Sequence, residues 1–426
     1  MLLSLHPGVI SLREKRGAGP SVVIAGDTCP WASGIQEIES GRTAAILEEV
    51  RPFIDSAQLR IVQFETPLAD SDSPINKSGP NLRCPNVCRE LLRGAFDVAL
   101  LANNHIGDHG PQACLDTVRY LNEIGVATAG AGATRREASA PLFLEREGMR
   151  IAILNFAEHE FGTATEDAAG SAPLDMKANL EALRSAKQEA SLVFVILHGG
   201  SERYPYPVPS VVERCRSFAE AGASLVMNIH THCPQGIEVW NGTPIVYCPG
   251  NLYFPWADLS SPHLLATWWL GYLPKFHCDS QGVHALELLP YHSDNHSVKR
   301  LTSQEETQFF EYMNRLSAPL ADDGEIRRLY KIWAASGVGD LHVRLLKESL
   351  EAYPGDLNKY EVVHSLLPAR NLFTCETHRE LMETYFRMIE TYEVERFAAL
   401  KDEVLALQRP GYGAHYWKEL RGTRKE

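Results

Sequence analysis

Donor side chains of three chemical kinds recur behind short apolar runs in this chain. Asp27 follows Val22–Gly26, Glu65 ends the run Ile61–Phe64, and Asn103, Asn104 and His105 end Val98–Ala102. His198 closes Val193–Leu197, and His230 and His232 close Leu225–Ile229. Carboxylate, amide and imidazole are hard and borderline donors, suited to divalent ions such as Mn, Fe, Zn or Ca. Asp27, Glu65, Asn104, His198, His230 and His232 suffice for one cation, or for two if a carboxylate bridges them. Taken singly, each has a duller reading, since an Asp after a strand also caps a helix and an Asn also closes a turn. In His230-Thr231-His232, the period of a strand would put both imidazoles on one side.

The runs that must position these groups are Val22–Ala25, Leu59–Phe64, Val98–Ala102, Arg150–Asn155, Leu192–Leu197 and Leu225–Ile229. They are short, often β-branched and followed by polar clusters, the pattern of buried strands. Between them, Pro111–Gly125 places Cys114, Val118 and Leu121 on one helical face and stops at Gly125. This alternation predicts an α/β fold whose ligands gather at the C-terminal ends of the strands. Ile237, Val239, the turn Asn241-Gly242, Ile245 and Tyr247 predict a hairpin that opens a β-rich layer.

After about Arg300 the composition turns helical, and Leu381, Tyr385, Met388 and Tyr392 repeat at the spacing of one helical face. Pro354-Gly355 and Pro410-Gly411 punctuate this region. The expected organisation is a catalytic domain over 20–300 and a helical extension over 301–426, serving as a lid or a homodimerisation element. Glu158-His159-Glu160 reads as a solvated loop, Trp268-Trp269 as core, and Arg421, Arg424 and Lys425 as a frayed tail.

The chain has 426 residues, beyond the ~250–300 at which one core stops growing, which fits a large domain with an appendage. Its 44% hydrophobic and 22% charged content is that of a globular protein. A net charge of −13 repels polyanions and argues against a nucleic-acid partner. Nine scattered cysteines without paired CxxC motifs read as reduced thiols in a cytoplasmic protein. Leu2–Leu5 is too short for a signal-peptide core and Leu264–Leu273 too short for a membrane span, so no membrane partner is expected.

The ordered set Asp27, Glu65, Asn104-His105, His198 and His230-Thr231-His232 resembles the D-x-H, G-D, G-N-H, H and G-H-x-H series of calcineurin-like metallophosphoesterases. Several stretches bring the resemblance closer to the capsule-synthesis CapA family. They are Ala25-Gly26-Asp27, Phe64 to Leu68, Leu101 to His105 with Asp108 and Gly110, His198 to Glu202, and Pro234 to Val239 with Gly250-Asn251. The resemblance covers roughly Val22 to Phe254. It implies a metallophosphoesterase-like β-sandwich flanked by helices, with one or two divalent metal ions held by Asp27, Glu65, Asn104, His198, His230 and His232.

The resemblance also makes His105 a candidate acid or base, with Glu202 and Cys29 as further catalytic candidates and Lys77 and Asn103 as substrate contacts. Two departures stand out. Cys29 replaces the His of D-x-H and reads as a thiolate ligand, a reactive base or a small buried residue, while Glu65 replaces the bridging Asp. Gly199 stands where CapA-like sequences usually carry an aromatic residue, which predicts a pocket widened on that side.

CapA relatives are associated with poly-γ-glutamate, and soluble CapA-like proteins include epimerases of lasso-peptide precursors. The resemblance therefore implies a metal-dependent enzyme acting on a peptide substrate, most concretely by Cα epimerisation of a residue in a ribosomal precursor peptide. The alternatives are a metal-dependent phosphoester hydrolase and a polymer-binding component of poly-γ-glutamate capsule synthesis.

Overall fold

The computed structural model describes residues 3–259, 261, 264–352 and 360–412. Pro354-Gly355 and the basic residues Arg421, Arg424 and Lys425 lie outside them. In chain order the strands are β1 (Val9–Ser11), β2 (Ser21–Thr28), β3 (Leu59–Phe64), β4 (Val98–Leu100), β5 (Ala127–Ala129), β6 (Ala131–Gly132), β7 (Leu142–Arg146) and β8 (Met149–Ala157). They continue with β9 (Gly170–Ser171), β10 (Leu192–His198), β11 (Leu225–Ile229), β12 (Ile237–Trp240), β13 (Thr243–Val246), β14 (Leu270–Asp279), β15 (Gly282–Ser293) and β16 (Val298–Arg300).

These strands build two principal sheets. The first runs β1-β15-β14-β2-β3-β4-β5, with β16 added to β15, and the second runs β12-β13-β11-β10-β8-β7. β2, β3, β4 and β5 are mutually parallel, as are β8, β10, β11 and β13, so each sheet ends several strands on the same edge. The expected α/β sandwich is thus present, and all six runs read as strands are strands.

Period two explains why it packs as a sandwich. In β2 and β3, Val22, Ile24, Leu59 and Ile61 face the core shared with Ile151, Ile153, Val193 and Val195 of the second sheet. The alternate residues Val23, Ala25, Val62 and Phe64 face a second core on the outer side, with Ile38, Ile54 and Leu92. β2 and β10 are buried throughout because both faces of each sheet are covered.

The helix expected at Pro111–Gly125 spans Gly110–Glu123, and Gly125 follows it at φ 82°. The Asn241-Gly242 turn, at φ 51° and 81°, joins β12 to β13 as a hairpin. That hairpin edges the second sheet, whereas β14 and β15 return to the first, so it does not open a separate β layer. β1, ahead of residue 20, pairs with β15 as an edge strand. It is only three residues long, too short to show a period.

The helical extension begins with Ser303–Ser317, started by a Thr302/Glu305 capping box. Asp323–Trp333, Gly339–Glu351, Tyr360–Thr374 and Glu376–Glu390 follow. Phe309, Met313, Leu329, Tyr330, Leu381 and Met388 belong to the same core as the two sheets. Tyr392 departs from the expected face. The last of these helices stops at Glu390, and Tyr392 is 94% exposed in a left-handed turn at φ 56°. Among the described residues no helix is long and apolar enough to cross a membrane.

Candidate metal centre

Strand ends of both sheets meet at one edge. β2 carries Asp27 near its end, β3 stops just before Glu65, β4 before Asn103-Asn104-His105, β10 on His198, and β11 before His230. Gly26 makes the junction possible. A Cβ there would stand 1.9 Å from the carbonyl oxygen of Gly250, so these two backbones meet only because a hydrogen replaces a side chain.

The converging donors form two groups. Ligand atoms of Glu65, His198 and His230 lie within 4.8 Å of one another, and so do those of Asp27, Glu65 and His232. Glu65 belongs to both. His198 Nε2 is 3.0 Å from His230 Nδ1, 3.1 Å from Asn104 Oδ1 and 3.5 Å from Glu65 Oε1. His232 Nδ1 is 3.5 Å from Asp27 Oδ2 and 2.8 Å from Asn251 Oδ1. Donors ~2.1 Å from a common ion stand roughly 3–3.4 Å apart, so these separations match a coordination sphere.

Electrostatics agree. Among the described residues, both oxygens of Asp27, both of Glu65 and Nδ1 of His198 are buried without a hydrogen-bond partner. Orphaned buried carboxylates are costly unless a cation compensates them. Burial, followed by the charge of Asp27, pushes the Glu65 carboxyl well above its ordinary range, and burial pushes Asp27 up to about 7 against the pull of His230. Burial and the neighbouring imidazoles hold His198 well below its usual value, keeping it neutral and able to ligate. The residues present fit divalent cations at two positions joined by Glu65.

The histidine pair reaches the site by a different route from the one expected. β11 stops at Ile229, and both His230 (φ 117°) and His232 (φ 54°) have positive φ. Such backbone costs about 1–3 kcal/mol per residue and persists where its surroundings enforce it. The two rings are 5.8 Å apart and serve different donor groups. His232 is braced by Trp268, 4.6 Å away, and by Phe254. Trp268 is core, as expected, and it also walls the site.

Beside the metal donors lies a second constellation. His105 Nδ1 is 2.6 Å from Asp108 Oδ2, and Lys77 Nζ is 2.5 Å from Asp108 Oδ1 and 3.3 Å from His105 Nδ1. Burial and the Lys77 charge lower the His105 value. Neutral His105 therefore donates Nδ1–H to Asp108 and keeps a lone pair on Nε2. Lys77 and Asp108 are buried as an ion pair, so Lys77 orients the dyad. Asn103 accepts from the backbone N–H groups of His105 and Ile106 and donates to the Phe64 carbonyl, shaping the turn that presents Asn104 and His105.

Glu202 stands at the rim, its side chain 42% exposed and paired with Arg203 at 3.2 Å. Cys29 joins neither donor group. It is fully buried in the outer core with Cys84 and Cys88. The expected widening at Gly199 is absent, because Glu158 fills that space: a Cβ on Gly199 would lie 2.5 Å from Glu158 Cγ. Nor is Glu158 part of a solvated loop. It is buried, with Arg214 at 2.6 Å and the Thr377 hydroxyl at 2.8 Å.

Asp108, Asn251 and Glu158 are the residues whose roles emerge only in three dimensions. Asp108 and Asn251 stand inside the motif stretches, but their partners come from the folded chain.

The two-sheet frame and the paired donor groups at its strand ends define an α/β protein with a candidate two-cation centre. Residues 21–255 match the family described as bacterial capsule synthesis protein PGA_cap, and the chain belongs to that family. It is 24% identical over 273 residues to the capsule biosynthesis protein CapA of Bacillus anthracis, covering 61% of this chain and 64% of that protein, less than two thirds of its length. It is 27% identical over 292 residues to the PGA biosynthesis protein CapA of Bacillus subtilis (strain 168), covering 64% of this chain and 73% of that protein. Among solved structures, a 5'-nucleotidase precursor from Thermus thermophilus aligns with a TM-score of 0.39 at 11% identity, over 67% of this chain and 55% of that one.

Proposed function

We infer that this protein is a metal-dependent enzyme of peptide or polyglutamate biosynthesis that moves a proton at the carbon next to an amide carbonyl, most concretely by Cα epimerisation. The observation that carries this reading is the His105–Asp108 dyad, one residue away from Asn104 of the metal centre. The names of the relatives, a capsule biosynthesis protein and a PGA biosynthesis protein, support a role in biosynthesis.

Divalent cations, when bound, polarise a carbonyl oxygen and so acidify the adjacent C–H. His105 accepts that proton at Nε2, while Asp108 holds its ring and balances the imidazolium that forms, and a solvent proton delivered to the opposite face of the planar carbon completes the inversion. Lys77 keeps Asp108 ionised and in place. Glu202 and Arg203 at the rim offer one charge of each sign to a peptide chain. The test is incubation with Mn(II) and glutamyl oligomers or peptides in deuterated water. Deuterium at one Cα with inversion, lost in His105→Ala, supports the reading, and no exchange at any Cα ends it.

A second reading, phosphoester hydrolysis, is favoured by one observation: Glu65 is common to both donor groups, the layout of two-metal hydrolases. Metal-dependent turnover of an aryl phosphate, lost on His230→Ala, would establish it over proton transfer.

A further inference from the structure

A second cluster of ligand-type groups lies where the helical extension meets the sheets. Glu160, in the loop after β8, and Cys375 and His378, at the start of helix Glu376–Glu390, bring ligand atoms within 4.8 Å of one another. This carboxylate, thiol and imidazole set shares no residue with the central donor groups.

The imidazole is already oriented. His342 Nδ1 lies 2.8 Å from the Val338 carbonyl oxygen, which only accepts, so the proton of neutral His342 is on Nδ1. Its Nε2 must then accept from His378 Nδ1–H, 3.0 Å away, which leaves the His378 lone pair on Nε2. A ligand ring held in one tautomer through its other nitrogen is the usual support of a metal-binding histidine.

The other donors are equally placed. The Glu160 carboxylate has no hydrogen bond or ion pair among the described residues. Cys375 is 2% exposed, and its thiol donates to Glu158 Oε2 at 3.4 Å. The thiol becomes a ligand by releasing its proton to solvent as a cation arrives.

We propose that Glu160, Cys375 and His378 form a further divalent-cation site, of the thiolate–imidazole–carboxylate type suited to zinc, with water in the fourth position. A cation there ties the extension to the loop after β8, where Glu158 N–H already donates to the His198 carbonyl. The site thereby couples docking of the helical extension to the strand end that carries His198. This inference is independent of the reaction catalysed at the central site.

Cobalt(II) titration of the full-length protein tests it, because thiolate ligation gives a charge-transfer band that nitrogen and oxygen donors alone do not. The expected result is a band that saturates with one cobalt ion per chain beyond those held at the central positions, kept in His230→Ala, absent in Cys375→Ser and weakened at least tenfold in apparent affinity in His378→Gln. Cys375→Ser keeps a donor toward Glu158 where the thiol stands, and an unchanged far-ultraviolet circular dichroism spectrum verifies its fold. No thiolate band after the central positions are filled, or a band that survives Cys375→Ser, overturns the proposal.

Discussion

His105 Nδ1 and Asp108 Oδ2 face each other at 2.6 Å across a single turn, so the imidazole beside the metal centre is locked in one tautomer. Its other nitrogen is left to react. With His105 proposed as the acid/base, His105→Ala is expected to lower kcat roughly 10²–10⁴-fold, the usual worth of general acid–base catalysis. Asp108→Asn keeps the shape and frees the tautomer, giving a smaller loss mainly in kcat. Proton exchange at Cα measured in both variants checks the order.

The crossing of Gly26 and Gly250 leaves no room for a methyl group. Gly26→Ala must push two backbones apart, and overpacking of this kind costs about 1–3 kcal/mol. Chemical denaturation reads that loss, and metal affinity should fall with it, since Asp27 and Asn251 adjoin the contact. An alanine variant of wild-type stability and affinity would refute this account of the junction.

Glu158 and Arg214 are a buried ion pair with side chains 4% and 10% exposed. Glu158→Ala strands the guanidinium and also drops the Thr377 and Gly200 contacts, for a cost of about 3–5 kcal/mol. In a double-mutant cycle, Arg214→Met should recover part of that loss. Strict additivity of the two substitutions would show that the pair does not couple.

Arg13 holds the Asp279 carboxyl well below the ordinary carboxylate range, first by hydrogen bonding and against the cost of burial. A carboxylate with a depressed folded value stabilises the fold above its unfolded pKa of about 3.9, and that stability is lost as pH falls through the folded value. Asp279→Asn should therefore reduce stability at neutral pH and flatten the acid limb of a stability-against-pH curve. Parallel acid limbs for the two proteins would contradict the linkage.

Much of the frame was legible because period-two runs such as Val22–Ala25 and Leu192–Leu197 are buried on both faces and end in polar donors. That Asp27, Glu65, His198, His230 and His232 come together at one edge was legible for the same reason. Their arrangement was not, because His230 and His232 depend on positive φ rather than strand alternation. Glu158 reads as loop in the sequence because its partners Arg214 and Thr377 are 56 and 219 residues away. Cys29 sits in a motif position yet points its chemistry into an apolar core, a matter of which face the chain turns inward after β2. Tyr392 continues a helical spacing two residues beyond the helix that generates it.

Bridging by Glu65 is the centre of the account. Manganese(II) loading of the full-length Cys375→Ser protein, followed by electron paramagnetic resonance, measures it directly without interference from the site at Cys375. Two ions per chain with an exchange-coupled signal, and loss of that coupling in Glu65→Gln, is the predicted result. Two uncoupled ions in the parent, or coupling that persists in Glu65→Gln, would contradict it.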